Sequence, residues 1–278
     1  MLATEPSSGT APARKTLPFF VLALGITWLF QAPALLARHG WIPGSTEDYL
    51  LPAALGGFGP LLAALIAARL EKNAGAGRGS LQPLLPSGVG AGWYALSLLL
   101  FPALYVGGAA LFRAFGGSGA SWLYPPENAQ QVAAMLVIPL VEEPGWRGFA
   151  LPRLQERYSP LRASLVLGVA WALWHVVMFL LQGMGSLVPF TMAMVNVVLG
   201  SVIFSWLYGR TRGSLLVAIF AHVGVHLNNP FHALPSNLTP FIIYTTALGV
   251  TAVVLVLADR AVFCERRTEP ARGVIAVG

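Results

Sequence analysis

Six side chains in this sequence have the types and spacings of a hydrolytic site, and all six stand in apolar surroundings. Glu142 and Glu143 follow the run Ala133-Ala134-Met135-Leu136-Val137-Ile138-Pro139-Leu140-Val141, and Arg147 comes four residues after Glu143. His175 closes the run Trp171-Ala172-Leu173-Trp174-His175, while His222 and His226 lie four apart in a third apolar stretch. A carboxylate can take a proton from water as general base, and imidazoles can orient that water, donate to an oxyanion or bind a metal. Spacing separates the two acids. Glu143 and Arg147 are i and i+4 on one helix face, where opposite charges pair. Glu142 falls about 140° from Arg147 around an ideal helix, so that arginine need not neutralise it. Glu142 is therefore the candidate base and Glu143 the structural partner. His222 and His226 also have the spacing by which one helix presents two zinc ligands. With His175 or Glu142 as a third ligand, a zinc-dependent variant is chemically sound.

The elements that must hold these residues are membrane helices. The chain has 278 residues, of which 56% are hydrophobic and only 10% charged, with a mean hydropathy of +0.68. Soluble domains are about a quarter charged, so a water-soluble globular protein is excluded, and disorder needs the opposite balance. At roughly 20 apolar residues per span, the apolar runs predict eight helices near 17–37, 49–68, 91–112, 130–146, 161–181, 187–208, 213–226 and 238–258. The fold class is an all-α polytopic membrane bundle. Each ionisable group at such depth costs ~3 kcal/mol, so acids and histidines on three separate spans are better explained by one shared site than by scattered packing. Asn196, Asn228 and Asn229 add possible amide donors. Pro144 and Gly145 should kink or open the helix beside the acids. Irregular backbone at membrane depth is tolerated where protein or a water-filled cavity covers it, and a hydrolase needs such a cavity for its water.

The charge pattern orients the bundle. Net charge is +6 and the isoelectric point about 9.9, but the basic residues belong to helix ends rather than to a nucleic-acid surface. With the N-terminus cytoplasmic, 15 of the 17 basic residues fall inside, and only Arg38 and Arg113 fall outside. Both termini are thus expected in the cytoplasm, with the lipid bilayer as partner and no nucleic acid. The single cysteine, Cys264, excludes a disulfide framework and a thiolate zinc cluster. Only Lys15 and Lys72 of the basic residues are lysines, a bias that points to a GC-rich bacterial source and hence a bacterial plasma membrane.

Three motifs in order resemble those of a known family. Glu142-Glu143-Pro144-Gly145-Trp146-Arg147, followed by Gly148, is similar to an E-E-x-x-x-R motif. Trp171 to His175 is similar to a second motif, an aromatic four residues before a histidine, and His222 to the histidine of a third. The family is the CPBP group (CAAX prenyl protease 2 and bacteriocin-processing, or Abi, intramembrane proteases), which includes lysostaphin-resistance-like proteins. The resemblance covers roughly 120–258. It implies a membrane-embedded catalytic domain there, after a mobile cytoplasmic segment 1–16 and transmembrane helices over 17–119, and before a cytoplasmic tail 259–278. It implies an intramembrane glutamic-type endopeptidase that needs no cofactor and cuts a membrane-associated peptide, of CAAX type or other. Glu142 and His175 would activate water, Arg147 would order the acidic pair, and His222 would donate to the oxyanion. His226 stands where the family usually has asparagine, and a ring N–H could still donate from there. The rival is a non-catalytic polytopic protein, such as a transporter or a bacteriocin immunity factor, using the polar cluster for binding or proton relay. Transporters usually carry inverted repeats with paired broken helices, and this sequence has one clear break, at Pro144. Convergence of Glu142, His175 and His222 around one cavity supports hydrolysis; scatter along a pore supports transport.

Overall fold

All regular structure among the described residues is helical, as an apolar chain in lipid requires when each backbone N–H must bond within its own segment. The computed structural model describes residues 16–73, 88–233 and 237–264. The two ends expected to be mobile, up to 15 and beyond 264, lie outside the described residues, and with them Arg14, Lys15, Arg266, Arg267 and Arg272; so does Arg78.

Each of the eight expected stretches is helical over nearly all its length. α1 (Thr16–Arg38) leads to α2 (Leu50–Leu55) and α3 (Gly59–Asn73), which run on through a single 3₁₀ turn at Gly56–Phe58. α4 (Ala91–Ala114) is followed by α5 (Ala129–Glu143), a π-helical segment Pro144–Ala150 and α6 (Leu151–Gln155). α7 (Pro160–Trp174) and α8 (Val176–Leu181) are separated by His175 alone. α9 (Leu187–Arg210), α10 (Leu215–Leu227), α11 (Thr239–Ala258) and the short α12 (Arg260–Cys264) complete the order. Among the described residues, five stretches are long and apolar enough to cross a membrane by length and composition, and α7 and α10 are shorter apolar helices. The starts are capped as the sequence allows: the side chains of Asn128, Ser159 and Ser214 each accept from the N–H three residues on, satisfying donors that a helix start leaves unpaired.

The outer faces carry exposed leucine and valine, among them Leu29, Leu136 and Val254. In lipid these are solvated by acyl chains. The interior is aromatic and closely packed around Phe19, Phe101, Tyr105, Trp146, Phe149 and Phe204. Two close approaches set the register. A Cβ on Gly168 would lie 3.0 Å from Ser201 Cβ and 3.1 Å from Val198 Cα, so α7 and α9 meet backbone to backbone there. A Cβ on Gly145 would lie 2.5 Å from the Pro60 carbonyl oxygen, so the π segment touches the start of α3 only because that residue has no side chain.

The α-helix is interrupted beside the acids, as Pro144 and Gly145 lead one to expect. Pro144 has no N–H to donate and clashes with the preceding turn, so α5 ends at Glu143. The interruption takes the form of i→i+5 winding over Pro144–Ala150, and α-helix resumes through Gln155. A second interruption, not foreseen, lies at His175, where α7 stops and α8 begins.

Candidate active site

Glu142 and Glu143 close α5, and the π segment that follows turns their side chains to different surroundings. Glu143 is fully buried. Arg147 Nη1 donates to both of its oxygens at 2.6 Å, and His222 Nδ1 lies 2.8 Å from Oε1. The Arg147 guanidinium sits over the rings of Phe204 and Trp171, at 4.0 and 4.7 Å from their centroids. This charge is held by one carboxylate and two aromatic faces. The expected pairing along the helix is present, and His222 joins it from α10.

Glu142 faces elsewhere. The indole N–H groups of Trp171 and Trp146 donate to its Oε2 at 2.8 and 3.3 Å, while Oε1 takes no hydrogen bond from the described residues. Glu142 lines a cavity of about 670 Å³; Glu143 and Arg147 do not. Two indoles on one oxygen hold the carboxylate in a single orientation and leave the other oxygen for whatever enters.

His175, His222, His226, Asn196 and Asn229 line the same cavity. His175 Nδ1 is 2.7 Å from the Trp171 carbonyl oxygen. A carbonyl only accepts, so Nδ1 carries the proton and Nε2 presents a lone pair. Its ring stacks on Phe179, with centroids 5.2 Å apart. His222 is set in the same way by the Glu143 carboxylate, so its Nε2 donates only when the ring holds both protons. Glu143 and Arg147 cancel in charge. His226 stacks on His222 at 5.2 Å between centroids, the rings 13° from parallel.

Of the three asparagines read as amide donors, Asn196 is buried at 4% exposure, has no partner among the described residues for either amide atom and lines the cavity. Asn228 accepts instead from the Tyr124 backbone N–H at 2.7 Å, and the Asn229 N–H donates to the Tyr124 carbonyl. These two tie the end of α10 to the segment before α5. No three His, Cys, Asp or Glu side chains among the described residues are placed to share a metal ion. The indole contacts to Glu142 were not legible in the sequence. Trp171 stood out only as the aromatic of the second motif, and Trp146 only as a filler between Glu143 and Arg147.

Fold and site together define a polytopic helical membrane protein with a buried glutamate and histidine cavity. Residues 124–228 match the family model described as Type II CAAX prenyl endopeptidase Rce1-like. The chain is also similar to the CAAX prenyl protease 2 of Methanococcus maripaludis, with 27% identity over 181 residues, covering 60% of this chain and 66% of that protein. Over this stretch the chain is similar to CAAX prenyl endopeptidases, the resemblance that its three motifs carry. The match spans just under two thirds of that relative's length.

Proposed function

We propose that this protein is an intramembrane endopeptidase that hydrolyses a peptide bond of a membrane-associated substrate with water activated by Glu142 and His175. The observation that carries the reading is the division of labour between adjacent acids: Glu143 is locked to Arg147 and His222, whereas Glu142 lines the cavity with one oxygen uncommitted. In the reaction, Glu142 Oε1 takes a proton from a water molecule held also by the His175 Nε2 lone pair. The hydroxide oxygen adds to the carbonyl carbon and the carbonyl oxygen becomes an oxyanion. The Asn196 amide, and His222 Nε2 when its ring holds both protons, are the available donors to it. As the C–N bond breaks, protonated Glu142 returns its proton to the leaving nitrogen.

The name of the relative suggests a CAAX-type substrate, and a cavity with apolar walls beside polar groups accommodates a lipid-modified or an unmodified peptide alike. We place the protein in the plasma membrane of a bacterium with both termini cytoplasmic. Convergence of Glu142, His175 and His222 on one cavity supports hydrolysis over transport. The test compares membrane peptides from cells expressing the wild-type chain with those from cells expressing Glu142→Gln. Peptides produced only by the wild type are expected; identical peptide sets would remove the proposal.

A further inference from the structure

α1 carries none of the three motifs, yet it makes the contacts that fix the interruption at His175. There the His175 backbone N–H donates to the Ala172 carbonyl at 3.0 Å, three residues back. An α-helical N–H would take the Trp171 carbonyl; here that oxygen is met by the imidazole, whose Nδ1 lies 2.7 Å away. The Trp174 indole stands against the same ring, with centroids 4.7 Å apart and planes at 84°. Trp174 is held from α1 at both side chain and backbone. Its Nε1 donates to Thr27 Oγ1 at 2.6 Å, and its carbonyl accepts from Trp28 Nε1 at 3.3 Å. Thr27 is fully buried, and its hydroxyl donates to the Gly56 carbonyl at 2.7 Å. The one hydroxyl proton is thereby spent, and a lone pair faces the indole. A Cβ on Gly59 would overlap this hydroxyl, so α3 closes on it only because that residue has no side chain. Past the interruption, Arg38 Nη1 at the end of α1 donates to the Leu180 and Leu181 carbonyls at 3.2 and 2.6 Å. α1 is thus bonded to the chain on both sides of His175.

We propose that Thr27 and Trp28 are positioning residues for His175. By fixing the Trp174 indole and carbonyl, they keep the imidazole seated with Nδ1–H on the Trp171 carbonyl and Nε2 toward the cavity. Both precede residues 124–228, the stretch that matches the family model, so this support reaches the site from outside that stretch. A buried donor that loses its acceptor carries the full cost of its desolvation. Without the Thr27 hydroxyl, the Trp174 indole turns to seek another partner, and the imidazole loses the aromatic surface beside it. A neutral imidazole has two tautomers, and the bond made by one nitrogen sets the state of the other. The Trp171 carbonyl selects Nδ1–H only while the ring stays in place. The consequence for catalysis rests on the hydrolytic reading above, because a ring in the other tautomer offers water an N–H in place of the Nε2 lone pair.

Imidazole nitrogen NMR tests the positioning without reference to activity. Thr27→Val keeps the shape and removes the hydroxyl, and Thr27→Ser keeps the hydroxyl. Trp28→Phe, at a half-buried position, removes the second donor. The full chain is purified in detergent with isotope-labelled histidine, and the His175 signals are identified by their loss in His175→Ala. The wild type should show Nδ1 protonated and Nε2 bare. Both tautomers should appear in Thr27→Val and in Trp28→Phe, and Thr27→Ser should return the single form. A single Nδ1–H tautomer in either folded variant, or its absence from the wild type, overturns the proposal; if Thr27→Val does not fold, Trp28→Phe decides. Peptide cleavage supplies the second readout. Per folded molecule, kcat should fall by about 10–100-fold in Thr27→Val with KM unchanged, and Thr27→Ser should recover it. A change confined to KM, or a loss that serine does not recover, counts against the proposal. Tautomers as expected in a wild type that cuts no peptide would sink hydrolysis while leaving the positioning of His175 standing.

Discussion

At the scale of single residues, two chemically identical side chains next to each other have been given different surroundings by their partners. Glu142→Gln keeps the shape and the indole contacts but removes the basic oxygen, so cleavage should fall by about 10²–10⁴-fold with the thermal midpoint unchanged. A folded variant that cuts at the wild-type rate would show that another group activates water. Glu143→Gln should behave differently, because Arg147 then keeps a full charge with its carboxylate partner gone. Breaking a buried pair from one side costs ~3–5 kcal/mol, so a lower thermal midpoint is expected, and Arg147→Ala should share it. Metal dependence is decided among the same side chains. If Glu142 is the base, a strong chelator should leave peptide cleavage intact; loss of activity restored by zinc alone would reassign His175, His222 and His226 as ligands.

At the scale of helices, each interruption serves a side chain. The π segment after Glu143 brings Arg147 back under the same glutamate while Trp146 reaches Glu142. The stop at His175 lets its ring bond the carbonyl one turn back and still face the cavity. Away from the site, α9 and α11 are clamped at the basic end by Asp259, whose Oδ2 accepts from Trp206 Nε1 at 2.7 Å and from Arg210 Nε at 2.5 Å. Burial works to raise the Asp259 carboxyl, but these donors outweigh it and hold it below the usual carboxylate range. A depressed value in the folded state means that the stabilisation is complete above the ordinary carboxylate value of about 3.9 and is lost as pH falls through the lower, folded one. The thermal midpoint in detergent should therefore drop on acidification below that value, and Asp259→Asn should flatten this part of the profile. An unchanged profile in the variant would show that the clamp contributes nothing to the acid response.

At the scale of the whole molecule, the proposed orientation with both termini cytoplasmic puts 15 of the 17 basic residues on the cytoplasmic side. A reporter active only in the cytoplasm, fused after Arg267, should be active, and its partner active only outside should be silent. The reverse result would invert the proposed topology.

The sequence by itself determined the solvent, the helical class, the positions of the passes and the identity of the side chains that lie too deep for ornament. Each of these is written in local terms: apolar run length, charge count, and i, i+4 spacing such as that of Glu143 and Arg147. Tertiary structure alone decided which residues meet across helices. His222 pairs with Glu143 across a separation of 79 residues, and Trp171 with Glu142 across 29. These contacts depend on helix register, set where Gly168 meets Val198 and Gly145 meets Pro60, and in a chain where nearly every helix face is apolar no periodicity says which face looks inward. The winding after Pro144 was open for the same reason. A proline removes a hydrogen bond and forbids one geometry, but whether the helix then breaks, kinks or widens is settled by what packs around it.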